Sequence, residues 1–148
     1  MWRQTKWVFW VVISLVLFAA CSKTQRPRLV VEDPWARSSP MATEMGAIYF
    51  TLRNTGSEED ALIGVETSAC RKAEIHETYQ KEGGAMGMRP VEGGRVPVPP
   101  GQTVVFAPGG LHIMCIGKQV DFQEGARFSL TLKFEKHDPI TVEVEVRK

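Results

Sequence analysis

Apolar and polar residues alternate with a period of two along most of the chain beyond residue 28. The cleanest runs are Arg127-Phe128-Ser129-Leu130-Thr131-Leu132-Lys133-Phe134 and Ile140-Thr141-Val142-Glu143-Val144-Glu145-Val146. Successive side chains of a strand point to opposite faces, so this pattern predicts strands with one buried and one wet face. Further strands are predicted at 29–32, 47–53, 61–67, 72–78, 95–98 and 103–106, and around His112. Pro97 makes the 95–98 segment an edge strand, because proline cannot donate to a central ladder. Turn chemistry separates the segments at Asn54-Thr55-Gly56, Lys81-Glu82-Gly83-Gly84, Gly93-Gly94, Pro99-Pro100-Gly101-Gln102 and Pro108-Gly109-Gly110. Gly83-Gly84 and Gly93-Gly94 read as hairpin turns. Eight or nine short strands with no convincing long helix predict an all-β fold, a single-domain Greek-key sandwich or barrel.

The first twenty residues follow a different rule. Arg3 and Lys6 precede an apolar run from Trp7 to Ala20, broken only by Ser14. That run is short for a spanning helix and reads as a secretory signal. Leu17-Phe18-Ala19-Ala20-Cys21 resembles the bacterial lipobox, in which the cysteine becomes a lipidated N-terminus. Ser22 after it resembles lipoproteins sorted to the outer membrane. The predicted organisation is a signal segment at 1–20, a lipidated Cys21 with a polar tether at 21–28, and one folded domain at 29–148. An exported protein, held to the bacterial envelope by lipid and facing the periplasm, is the expected product.

Composition narrows the functions. The 43% hydrophobic and 24% charged content is that of a globular protein, and the net charge of +1 points to neither nucleic acid nor an anionic membrane surface. Neither a G-x-S-x-G nucleophile motif nor a glycine-rich phosphate loop ahead of a helix occurs. No enzymatic activity is expected.

Soft metal ligands gather in the middle of the chain instead. His76 lies in Glu74-Ile75-His76-Glu77-Thr78, Met86 and Met88 in Met86-Gly87-Met88-Arg89-Pro90, and His112 and Met114 in Leu111-His112-Ile113-Met114. Imidazole and thioether together suit a soft cation, with Cu(I) first, whereas zinc prefers thiolate, imidazole and carboxylate. On a strand His112 and Met114 share a face, and so do Met86 and Met88. Met41 and Met45 read as one helical turn, as exposed methionines near the site, or, the preferred reading, as a loop packed into the core. His137 reads as an exposed turn histidine. Trp35 could lie near the metal, but a core role is preferred.

Apart from Cys21 the cysteines are Cys70 and Cys115. Three readings stand: a disulfide, two buried free thiols, or a thiolate ligand at Cys115. Regular strand parity turns Cys115 away from the face of His112 and Met114, and an oxidising compartment favours the bond.

The ordered set of motifs resembles the periplasmic copper chaperone family PCu(A)C, with its His…Met…His-x-Met pattern. The likeness runs from Leu29 to Val146 through Asp33-Pro34-Trp35-Ala36-Arg37, Ile48-Tyr49-Phe50-Thr51-Leu52-Arg53-Asn54-Thr55-Gly56, Ile75-His76-Glu77-Thr78, Met88-Arg89-Pro90-Val91 and Pro108-Gly109-Gly110-Leu111-His112-Ile113-Met114. The resemblance implies a cupredoxin-like β-sandwich that binds one Cu(I) at an exposed site. Its ligands would be His76, Met88, His112 and Met114, with Met86 as the alternative to Met88. It also implies a metallochaperone that delivers copper towards the binuclear copper centre of cytochrome c oxidase, beside a thiol-disulfide copper chaperone. The rival expectations are a metal-free structural or adhesive lipoprotein and a copper electron carrier. For the latter, Cys115 lacks the closely following histidine that a blue-copper loop needs.

Overall fold

The alternating segments become ten strands, described by a computed structural model over residues 28–39 and 43–148. The signal segment, Cys21 with the tether up to residue 27, and Met41 lie outside the described residues. The strands are β1 (Leu29–Ser38), β2 (Met45–Asn54), β3 (Asp60–Glu66), β4 (Cys70–Gln80) and β5 (Met86–Pro90). They continue as β6 (Val96–Val98), β7 (Thr103–Phe106), β8 (Leu111–Lys118), β9 (Arg127–Phe134) and β10 (Ile140–Val146). Hydrogen bonding joins them in the order β5-β4-β8-β7-β2-β1-β10-β9-β3-β6, with β8 also pairing β2 directly. The expected all-β architecture is present. The ladder folds over into a sandwich, so that side chains from both ends meet around one core.

That core follows the alternation. Ile48, Phe50 and Leu52 of β2, Ile113 and Cys115 of β8, Leu130 and Leu132 of β9, and Val144 and Val146 of β10 all point inward and are buried. Phe50 and Phe106 stack with ring centroids 4.3 Å apart. Their neighbours in sequence point outward, so Ala47, Tyr49, His112 and Met114 share the outer face of the β4-β8-β2 region.

Two buried polar side chains tie loops to this core. The Asn54 side-chain amide donates to the carbonyls of Glu58 and Val98, linking β2 to β6 across the sandwich, and its oxygen accepts from Gly56 N–H. Asp60 is fully buried. Its carboxylate accepts the backbone N–H groups of Ala61, Lys136 and His137, which anchors the β9–β10 turn. These bonds offset the cost of burying polar groups.

Several details differ from the sequence-based expectation. β1 continues to Ser38 instead of stopping near residue 32. Asp33 adopts φ 48° and the register shifts between Glu32 and Trp35, so a bulge absorbs Pro34 and pairing resumes. Gly83 and Gly84 do turn the β4–β5 hairpin, but Gly93 and Gly94 do not sit in a hairpin. They belong to a 3-10 turn at Glu92–Gly94 that carries the chain from β5 to β6, at opposite ends of the strand order. Their φ values of 66° and 63° explain why glycine stands there. His137 is half-buried, its ring edge-on to Phe134 at 5.9 Å.

Candidate metal centre

The antiparallel pairing of β4 with β8 sets His76 directly opposite His112. Residues facing each other across a ladder share a face, so both imidazoles stand on the outer side of the sheet. Their ring centroids are 5.9 Å apart. An ion held by one nitrogen from each ring, with bonds of about 2 Å, spaces the centroids by roughly 5 to 6 Å. Both side chains are nonetheless buried, with His76 at 9% and His112 at 3% exposure.

Each ring has one nitrogen engaged and one left over. His112 Nδ1–H donates to the Gly110 carbonyl at 3.0 Å, and His76 Nε2–H donates to a Glu74 carboxylate oxygen at 3.2 Å. The remaining atoms, His112 Nε2 and His76 Nδ1, are buried without a hydrogen-bond partner. Two ring nitrogens, one on each histidine, are thereby desolvated on residues that face each other across the ladder. An acceptor that takes the proton of one ring nitrogen, fixes the tautomer and leaves the opposite nitrogen free is the arrangement a metal-binding histidine needs.

The acceptors are built in by local sequence. Pro108 and Gly109 occupy the central positions of a tight turn closed by Gly110 N–H to the Ala107 carbonyl at 3.0 Å. Gly109 has φ 80°, which a side chain would strain. The turn aims the Gly110 carbonyl so that it accepts the N–H and hydroxyl of Thr78 on β4 and the His112 ring N–H on β8. Glu74 shares the face of His76 by strand parity and is bridged to Lys72 at 2.6 Å. The Lys72 ammonium foremost, and then the His76 ring, hold its carboxyl below the ordinary carboxylate range. Burial holds His112 below the ordinary histidine value, with the nearby His76 acting in the same direction and the Gly110 bond opposing. His112 is therefore neutral and its Nε2 unprotonated near pH 7.

Among the described residues, no group of three His, Cys, Asp or Glu side chains is placed to hold a metal ion. The ligands that adjoin the histidine pair are thioethers. A cavity of about 170 Å³ on the outer face is lined by His112, Met114, Met88, Met45, Tyr49 and Thr78, among others. Met114 is half-buried, whereas Met88 is 61% exposed on the edge strand β5. Met86 is also exposed, opposite Gln80 at the far end of β5, and does not line the cavity. The structure thus brings His112, Met114 and Met88 around one opening, with His76 alongside His112. The donor set fits a soft monovalent cation.

Met45 and Trp35 depart from the preferred sequence readings. Met45 is not in a core-packed loop: it begins β2, is 38% exposed and opens onto the cavity. Trp35 is not in the core either. It is half-buried on the ligand face, with Tyr49 at 4.6 Å between it and His112. Glu74, Thr78 and Gly110 escaped the sequence reading altogether. The parity of Glu74 with His76 was the one available signal.

Cys70 and Cys115 are joined by a disulfide with Cα atoms 5.4 Å apart. Cys115 lies opposite Ala73 on β4 and faces the core, away from Met114. The bond clamps the two strands that carry the histidines, from the side opposite to them.

Comparisons with known proteins agree with this architecture. Several solved domains share the fold. The copper-bound PCuAC domain from PmoF2 aligns with TM-score 0.64 and 24% identity over 82% of this chain and 93% of that one. The apo PCuAC domain from PmoF1 gives TM-score 0.67 and 24% identity over 83% of this chain and 96% of that one. The Cu(I) form of DR1885 from Deinococcus radiodurans gives TM-score 0.64 and 23% identity over 86% and 83%. The fold is therefore the cupredoxin-like sandwich of PCuAC domains. In sequence, the chain is 32% identical over 117 residues to "Putative lipoprotein Lxx21020" of Leifsonia xyli subsp. xyli, spanning 79% of this chain and 68% of that protein. It is 31% identical over 124 residues to an uncharacterised protein of Rickettsia prowazekii, spanning 77% and 64%. A family described as "Putative lipoprotein LpqE-like" matches residues 29–146, nearly all of the folded domain, and the chain belongs to this LpqE-like family.

Proposed function

We propose that this protein is a Cu(I) carrier of the bacterial cell envelope, binding one ion through His76, Met88, His112 and Met114 and handing it to an acceptor protein. One observation carries the reading: His76 and His112 stand opposite each other across β4 and β8, each with a buried ring nitrogen that has no hydrogen-bond partner, and His112 lines a cavity with the thioethers of Met88 and Met114. Burying such atoms without compensation costs about 1–3 kcal/mol each. A ligated soft cation removes that cost. The copper-bound and Cu(I) forms of the solved domains sharing this fold support the choice of metal.

The arrangement suits transfer as well as binding. The imidazoles give affinity, and their tautomers are preset by Glu74 and Gly110. Thioethers do not titrate, so they hold Cu(I) without proton competition. Met88 stands at an exposed edge, where an incoming ligand from a partner can replace it. The acceptor we favour is the binuclear copper site of cytochrome c oxidase, with a thiol-disulfide copper chaperone acting beside it.

Anaerobic titration with Cu(I), followed by X-ray absorption, tests this reading. We expect a one-to-one endpoint with a mixed nitrogen and sulfur shell, two of each. Mixed with the apo copper domain of an oxidase subunit, the loaded protein should give up its copper. A sulfur-only shell or the absence of a defined endpoint would overturn the copper reading, and retention of copper would overturn the choice of acceptor.

The anchor we propose is a lipidated Cys21 in Leu17-Phe18-Ala19-Ala20-Cys21, facing the periplasm. The lipoprotein names of the family and of the Leifsonia relative support it. Mass spectrometry of membrane-extracted protein should find an acylated N-terminus at Cys21. A mature soluble form that retains earlier residues would sink the assignment.

A further inference from the structure

The cavity on the outer face is not lined by the four proposed ligands. It is lined by His112, Met114, Met88 and a third thioether, Met45, while His76 is absent from its wall. Met45 reaches this place by strand register. Ala47 faces Met114 and Met45 faces Ile116 across β2 and β8, so Met45 and Met114 are diagonal neighbours on one face. Such neighbours lie roughly 7–8 Å apart at the backbone, within reach of long side chains. The start of β2 is held there from both sides. The Glu44 carbonyl accepts Gly117 and Lys118 N–H groups at 2.9 and 3.1 Å. A side chain at Gly46 would meet the Phe122 ring at 2.5 Å, so glycine lets β2 lie this close to Phe122 on the core side. Met45 is 38% exposed and Met88 61%, so the cavity grades from thioethers at its rim to a buried imidazole at its floor.

We propose that Met45 is an additional Cu(I) ligand, forming with Met88 and Met114 a three-thioether position at the mouth of the site through which copper enters and leaves. The inference rests on the copper reading above. The step is a ligand exchange: a Met45 Sδ–Cu(I) bond forms as an imidazole nitrogen–Cu(I) bond breaks. Copper stays Cu(I), and neither electrons nor protons move. A soft, uncharged rim of this kind weakens the hold on the ion gradually instead of releasing it in one costly step.

The test uses full-length protein labelled with 13C at the methionine methyls, titrated anaerobically with Cu(I) and, separately, with diamagnetic Ag(I). The Met45 methyl signal should shift together with those of Met88 and Met114. Release of Cu(I) to excess bathocuproine disulfonate should slow about tenfold in Met45→Leu, equivalent to about 1.4 kcal/mol on the barrier. The one-to-one endpoint should persist. If the wild-type protein takes up copper with the expected shell, but the Met45 methyl is unmoved and Met45→Leu releases copper at the wild-type rate, this inference falls and the copper reading stands. If the wild-type protein binds no Cu(I), both fall.

Discussion

Replacing His112 with alanine should abolish Cu(I) binding, lowering affinity by well over the roughly 10–100-fold typical of losing a mere supporting contact. His112 is the focus of the site. It faces His76 across the ladder, forms part of the cavity wall with Met88 and Met114, and has its tautomer set by the Gly110 carbonyl. Competition with a calibrated Cu(I) chelator measures the loss. Wild-type affinity in a variant that still melts cooperatively would remove His112 from the ligand set. Met86→Ala, which alters a side chain outside the cavity, should have a far smaller effect; a larger one would exchange Met86 for Met88 as the ligand. The same histidine should leave a mark on the metal-free protein. Its folded value lies below the ordinary one of about 6.5, so the unfolded chain takes up a proton first on acidification. Its contribution to stability is constant above about pH 6.5 and is lost as pH falls through the folded value. Chemical denaturation across that window should show a steeper acid-side decline in wild type than in His112→Ala.

The Cys70→Ser, Cys115→Ser double variant should lose roughly 3 to 4 kcal/mol of stability and still bind one Cu(I). The two cysteines are 45 positions apart, and a cross-link closing a loop of that size removes much freedom from the unfolded chain. Cys115 is fully buried and faces the core, so neither sulfur can reach the outer face. The expected copper effect is a modest weakening from looser strands, since the bond clamps β4 to β8 opposite the imidazoles. Thermal melts and Cu(I) titration of the pair of single variants and the double variant give the answer. Free thiols in the native protein, or loss of copper in Cys115→Ser with retention in Cys70→Ser, would make Cys115 a ligand or a transfer thiol.

Strand positions were legible because alternation is local. Residues 127–134 and 140–146 could be read directly, and β9 and β10 occupy those residues. Where local chemistry interrupts pairing, the reading stopped early, as at Asp33-Pro34, beyond which a bulge lets β1 continue. Parity also told which residues share a face, as with His112 and Met114, but not which face looks outward. Trp35 was assigned to the core for that reason, although it stands with Tyr49 on the ligand side. The preferred core-loop reading of Met45 fails and the alternative of an exposed methionine near the site holds, because its place depends on the register of β2 against β8, a long-range property. The facing of His76 and His112 is of the same kind. The supporting shell was least visible, since a backbone carbonyl such as Gly110 O has no signature in a sequence.

The facing histidines come from strands far apart in the chain, with β5, β6 and β7 between them. Joining β4 to β8 means closing that loop, a slow and non-local step compared with forming the β9–β10 hairpin. An unfolded or partly threaded chain therefore presents local pairs such as His112 and Met114 but not the facing of His76 with His112, which only the finished ladder supplies. An ion that binds only the completed pair draws the equilibrium towards the finished molecule. For a chain that crosses a membrane before it folds, cargo would be acquired on the far side, after arrival, and the time of loading would be set by the topology of one pair of strands.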